Sequence, residues 1–133
     1  MDYNTFTSNL ANLKAYMKTV SEIEERKEEI LYILSGVHGI SFDSIPVNGN
    51  PSVTEERKLD LIDEYNSLCQ RQHAIQGMIV MIKDMLSKMP DDLQSMLTDK
   101  FVKGKTYETI GIKYGYSSFG IWNLMRRETE KFL

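Results

Sequence analysis

The chain has little that would staple or interrupt it. Among 133 residues there is a single cysteine, Cys69, so no internal disulfide can form and a reducing cytoplasm is the expected compartment. That cysteine and two histidines, His38 and His73, give no zinc-ligand spacing. Three prolines and eight glycines leave long stretches unbroken, which favours helix. The longest apolar run is Met78 to Ile82, far short of the roughly 20 residues that cross a bilayer. Residues 1–10 lack the basic stretch and apolar run of a signal peptide. No nucleophile–base pair, phosphate-binding glycine loop or metal-ligand cluster occurs, so no catalytic residue, metal or cofactor is expected and the chain is not read as an enzyme.

What the sequence does have is helical periodicity, in a composition of 41% hydrophobic and 26% charged residues that can build a core. The expected fold is all-α: a long antiparallel, coiled-coil-like helical hairpin over residues 1–89, then a helix-turn-helix over 90–133. The first helix is expected from about Thr7 to Ser35, with Ser8 as its N-cap and Leu10, Leu13, Met17, Val20, Ile23, Ile30 and Leu34 as its stripe. Its middle, residues 24–29, is wholly polar. Gly36 and Gly39 stop it, and residues 36–51 read as a linker with turns at Asn48-Gly49 and the prolines. The apolar Val37, Ile40, Phe42, Ile45 and Val47 predict that this linker packs back on a helix.

Ser52, with Glu55 three residues later, predicts the cap of a second long helix reaching Met89. Leu61, Tyr65, Leu68, Gln72, Ile75, Ile79, Ile82 and Leu86 form its heptad seam. Gln72 has two placements, a register-setting seam position or an exposed edge. Met78, Met81, Met85 and Met89 widen the apolar surface beyond what one neighbouring helix covers. A second chain, the C-terminal unit or both must pack there. The hairpin itself can close within one chain or between two.

After Pro90, Asp91 and Asp92 open a helix whose stripe is Leu93, Met96, Leu97 and Phe101 and which Gly104 closes. Thr106 caps a short helix to Tyr114, Gly115 makes a turn, and Ser117 caps a third helix. Two crossing helices need a small residue at the contact, here Gly111, and a left-handed turn residue, here Gly115. Ile110, Tyr114 and Tyr116 flank the turn, and Ile121 and Leu124 anchor the third helix. That leaves Ser117, Ser118, Phe119, Asn123, Arg126 and Arg127 facing out, and Trp122 either on the first helix of the unit or facing DNA. Arginine reads guanine, asparagine reads adenine, and Phe119 offers apolar contact to a thymine methyl. Ser117 and Ser118 suit a phosphate at a helix start, and Lys103, Lys105 and Lys113, with Lys100, bracket the unit as anchors for the DNA backbone. Gly120 lowers helix propensity by about 1 kcal/mol relative to alanine, a cost that close approach to a DNA backbone would offset.

From Asp91 onward there are seven Lys/Arg against six Asp/Glu, and before it nine against thirteen. The asymmetry has the sign DNA binding wants. The overall net charge of −3 and pI near 5.4 motivate the rival reading, a protein-interaction module such as an inhibitor or adaptor of a host protein.

The stretch from Asp91 through Leu97, with Lys103-Gly-Lys-Thr-Tyr-Glu-Thr-Ile-Gly-Ile-Lys-Tyr-Gly-Tyr-Ser117, resembles the region of sigma factors that reads the −35 promoter element. It is closer still to the sigma-like helix-turn-helix of phage late transcription regulators of the ArpU/RinA type. The resemblance covers about 40 residues and is weaker over the hairpin and linker. It implies a recognition helix from Ser117 to Lys131, with Ser118, Phe119, Trp122, Asn123 and Arg126 toward the bases. It also implies a sequence-specific regulator of late phage genes in the cytoplasm of a bacterial host. Double-stranded DNA is then the partner, the protein is a homodimer, and RNA polymerase is a further partner of a sigma-like subtype. Gly111 stands where alanine is usual, a change expected to be structurally harmless, and the start Ser117-Ser118-Phe119-Gly120 is less polar than recognition helices usually are.

Overall fold

A computed structural model describes residues 1–36 and 53–133. The expected turns, the apolar linker residues Val37 to Val47, His38 and the Ser52 cap lie outside the described residues. Among the described residues every element is helical: α1 (Tyr3–Ala11), α2 (Leu13–Ser35), α3 (Glu55–Ser87), α4 (Asp91–Leu97), a π-helical turn (Thr98–Val102), α5 (Tyr107–Tyr114) and α6 (Ser118–Glu130). Helices α2 and α3 form the long antiparallel pair, and none of the described helices is long and apolar enough to cross a membrane. Contacts gather the chain into two compact units, one of Lys18–Gln76 and one of Met1–Met17 with Gly77–Leu133.

In the first unit α2 and α3 pair within one chain. Ile30, Leu34 and Leu61 are buried at the seam, flanked by Ile33, Ile62, Tyr65 and Leu68. Three residues of the polar middle of α2, Glu24, Arg26 and Lys27, bond across the seam. The Arg26 guanidinium donates to both Glu64 carboxylate oxygens, at 2.5 and 2.9 Å, and to Glu29 at 2.8 Å. The Lys27 ammonium donates to Gln72 Oε1 at 2.8 Å, and the Gln72 amide donates in turn to Glu24. Gln72 is thus the buried seam residue of the two placements. Its amide spends a donor and an acceptor on α2, so sliding the pair breaks both bonds. Thr54 caps α3 by accepting from the Arg57 N–H at 3.2 Å.

The second unit departs from expectation at its start. The first helix begins at Tyr3, capped by Asp2, whose Oδ1 accepts from the Thr5 N–H at 2.7 Å. Ser8 is an exposed residue inside α1, not a cap. The stripe is also broken into two helices at Asn12, whose N–H bonds back to Ser8 and Asn9. Leu10, expected in the hairpin stripe, and Phe6, just ahead of the expected helix, therefore serve a different core: both are fully buried with Ile82, Met89, Leu93, Met96, Leu97, Ile110, Ile121 and Met125. Burial of a side chain the size of Phe6 contributes roughly 1.5–3 kcal/mol. The methionine-rich end of α3 is covered here by α1 and the C-terminal helices, although Val80 and Met81 stay exposed, as does Met17 on α2.

Candidate nucleic-acid interface

The candidate interface is built entirely within the second unit, beginning where α4 passes into its π-turn. The Lys103 N–H donates to the Thr98 carbonyl at 2.9 Å, five residues back, so one extra residue is accommodated in the turn. The turn carries Asp99 to a position only 2% exposed. A buried carboxylate needs partners, and the loop supplies them. Gly104, at φ 73°, folds the chain back so that the Lys105 N–H donates to the Asp99 carbonyl at 2.9 Å. The ammonium groups of Lys113, Lys105 and Lys103 lie 3.3, 3.6 and 3.7 Å from the carboxylate. Burial pushes the Asp99 carboxyl up, but the Lys113 hydrogen bond and the charges of Lys105, Lys113 and Lys103 together hold it below the usual carboxylate range. The Asp99 hydrogen bond and charge raise Lys113 in return. Three of the expected backbone anchors are thus gathered on one acidic residue, and each lysine side chain stays substantially exposed. Lys100 turns elsewhere, over the Tyr107 ring at 4.2 Å.

Helix α5 starts as its sequence dictates, with Thr106 Oγ1 accepting from the Thr109 N–H at 3.1 Å. It ends at Gly115, left-handed at φ 81°. Gly111 is buried against the turn. A Cβ placed there would overlap the Tyr116 carbonyl oxygen and lie 3.3 Å from that of Ser117. Glycine at this position, expected to be structurally harmless, fits because the turn closes against its bare backbone, and an alanine would not fit without a shift. The Tyr116 N–H donates to the Gly111 carbonyl at 2.8 Å and holds the two together.

Ser117 caps α6 by accepting from the Gly120 N–H at 3.0 Å. A Cβ on Gly120 would stand 3.0 Å from that same Ser117 Oγ, so this glycine has a local reason in the cap. The inward stripe is Ile121, Met125 and Thr129, all fully buried, while Leu124 is only half-buried. The expected anchor pair was Ile121 and Leu124; the spacing of four places Met125 in the second role.

The opposite face carries Ser118, Phe119, Trp122, Asn123, Arg126 and Arg127, all exposed. Phe119 is 73% and Trp122 36% exposed. Their rings stack at 5.7 Å with an interplanar angle of 28°, which places Trp122 on the outer face. The Arg126 guanidinium lies 5.9 Å from the Trp122 ring and 5.7 Å from that of Tyr3, and its Nε donates to Glu130 at 3.2 Å. Arg127 Nε pairs with Glu128 at 3.4 Å, as does Lys131 at 2.9 Å.

Sequence reasoning missed Asp99 and Tyr3. The signal for Asp99 is slight: it is the lone acidic residue between Asp92 and Glu108, in a run holding three lysines. Tyr3 had none, since its partners Phe101, Tyr107 and Arg126 are remote in sequence. Its phenol is pushed up to about 12, chiefly by burial and then by Tyr107, and its hydroxyl has no hydrogen-bond partner among the described residues. The second unit holds ten Lys/Arg against eight Asp/Glu, and the first six against eleven. An open groove of about 250 Å³ between Leu93 and Met96 on one side and Tyr116 and Leu124 on the other contains none of the outward α6 residues. Among the described residues no three His, Cys, Asp or Glu side chains cluster as a metal site.

Compared with family models, curated proteins and solved structures, the chain matches none significantly.

Proposed function

We propose that this protein is a sequence-specific, double-stranded-DNA-binding transcriptional regulator that reads the major groove with α6. The observation carrying this reading is the outward face of α6. It presents Ser118, Asn123, Arg126 and Arg127 around the Phe119–Trp122 stack, directly after a left-handed glycine turn. Asn123 and Arg126 supply bidentate base contacts. The cluster of Lys103, Lys105 and Lys113, held by Asp99, supplies phosphate contacts that position the protein without reading sequence. The ion pairs of Arg126 and Arg127 with Glu130 and Glu128 are exposed, and such pairs contribute only about 0–1 kcal/mol. DNA can exchange for them at small cost. The resemblance to phage late regulators extends the proposal to late-gene control, to a homodimer on half-sites about one helical turn apart or a multiple of it, and to contact with RNA polymerase in a sigma-like subtype.

A second reading, a protein-interaction module, is favoured by one observation. Ile112 is 77% exposed and Phe119 73%, an apolar exposure that also suits a protein partner.

The deciding experiment is selection of binding sites from random double-stranded DNA at two salt concentrations, beside the Arg126→Ala/Arg127→Ala variant. Enrichment of a motif that the variant loses, with affinity falling as salt rises, is the expected result. A palindromic motif supports the dimer. No enrichment at either salt overturns the reading in favour of the second.

A further inference from the structure

Resting on the DNA-binding reading, we propose that Phe119 and Trp122 act as one apolar slab that reads the C5-methyl groups of two neighbouring thymines. Isolated exposed hydrophobic residues are ordinary on protein surfaces. These two are not isolated: they sit three apart on the first turns of α6, and their rings stack on each other at 5.7 Å. Phenylalanine has no hydrogen-bonding group and tryptophan only an indole N–H donor. The slab therefore has at most that one donor to set against the several donors and acceptors of guanine, cytosine or adenine edges, and its ring faces have none. The one apolar group on a base edge in the major groove is the thymine methyl. Successive bases on a strand rise by about 3.4 Å, so rings centred 5.7 Å apart reach across two neighbouring positions.

The stack also prepares the slab for binding. Each ring limits the rotamers of the other, so less side-chain freedom is lost on contact with DNA. Arg126 stands one turn beyond Trp122, with its guanidinium 5.9 Å from the indole. The slab and the arginine thus form one continuous surface, and its complement is a pair of thymines beside a guanine. The more exposed ring, Phe119, carries the larger share.

The test uses the full chain and the DNA site obtained by selection. Each thymine is replaced in turn by deoxyuridine, which removes only the C5-methyl group, and affinity is measured for the wild type and for Phe119→Ala. The expected result is a loss of about fourfold at each of two adjacent positions, the worth of one buried methyl group. Phe119→Ala should bind the thymine site more weakly and lose sensitivity to uracil at one or both positions. Replacing thymine there by 5-methylcytosine, paired with guanine, should retain more affinity than unmethylated cytosine. A wild type that binds its site specifically yet tolerates uracil at every position overturns the proposal while leaving DNA reading intact. So does a Phe119→Ala variant with undiminished uracil sensitivity. Absence of any selected site or low-salt DNA affinity overturns both readings and leaves the slab to a protein partner. Phe119 is exposed, so its variant should melt as the wild type does; a circular-dichroism melt checks this.

Discussion

The Lys113 ammonium donates to Asp99 Oδ2 at 3.3 Å, tying α5 to the π-turn that precedes it. Removing the carboxylate leaves three exposed lysines close together with nothing between them. Asp99→Asn should lower the stability of the protein by about 1–2 kcal/mol, the range for losing a charge-assisted hydrogen bond whose remaining partners stay solvated. The sign with pH follows from the depressed pKa. Asp99 stabilises the fold above its unfolded pKa of about 3.9, and that contribution is lost as pH falls through its lower folded value. Urea unfolding at pH 7 should separate wild type from variant, and the gap should shrink below pH 4. A gap independent of pH would remove the carboxylate from this account.

The same cluster bears on DNA through charge. If Lys103, Lys105 and Lys113 contact phosphates, Lys113→Gln should reduce the slope of log affinity against log salt by about 0.9 and leave the preferred sequence unchanged. Asn123→Ala should do the opposite, relaxing preference at one base while keeping the slope. Binding measured over a salt series on matched and mismatched sites distinguishes the two. A lysine variant with an unaltered slope would mean that this cluster does not touch the backbone.

Much of α5 and α6 was legible because their signals are local. Thr106, Gly115 and Ser117 cap and turn the chain through bonds to residues at most five positions away. The apolar periods of α2 and α3 likewise gave the antiparallel pair. What stayed hidden was decided by packing. The break at Asn12 involves neither glycine nor proline, so a continuous stripe concealed two helices. Phe6 and Leu10 find their core among residues more than seventy positions away. Leu124 and Met125 are equally apolar, and only the position of α4 and α5 decides which turns inward. The π-turn adds a residue, which shifts the helical face by about 100° and puts Asp99 where an α-helical reading places no buried charge. In the interface, exposure of the α6 face followed from the inward stripe, but the stacking of Phe119 on Trp122 depends on rotamers that spacing does not fix.

Gly111 and Gly77 should respond to alanine in opposite directions. At Gly111 the new methyl group meets the Tyr116 backbone carbonyl, which cannot swing away as a side chain can. Gly111→Ala should cost about 1–3 kcal/mol, as for other overpacked sites. Gly77 lies within α3 with nothing within 4 Å of an added Cβ, so Gly77→Ala should stabilise by about 0.5–1 kcal/mol through helix propensity. Thermal melts of both variants provide the check. A neutral Gly111→Ala would show that the turn relaxes freely.

Across the hairpin seam, Arg26 and Glu64 make a two-pronged pair whose side chains are only 32% and 38% exposed. The double-mutant cycle of Arg26→Ala and Glu64→Ala should give a coupling of about 0.5–1 kcal/mol, at the upper end for partly solvated pairs. High salt should reduce it. A coupling near zero would leave register to Gln72 and the apolar residues alone.

Tyr3 carries a cost that its ring compensates. Its hydroxyl is buried without a partner among the described residues, while the ring meets the Phe101 edge at 6.5 Å and lies 5.7 Å from the Arg126 guanidinium. Tyr3→Phe keeps both ring contacts and deletes the unsatisfied group, so it should raise stability by about 1 kcal/mol. The alkaline limb supplies an independent readout. With the phenol pushed up to about 12, the neutral form is the one the fold accepts. Its contribution is complete below the unfolded pKa of about 10 and is lost as pH rises through 12. Wild-type stability should therefore fall between pH 10 and 12 more steeply than that of Tyr3→Phe. If the variant is instead less stable at neutral pH, the hydroxyl holds a hydrogen bond, to water for example, and the ring contacts alone do not account for Tyr3.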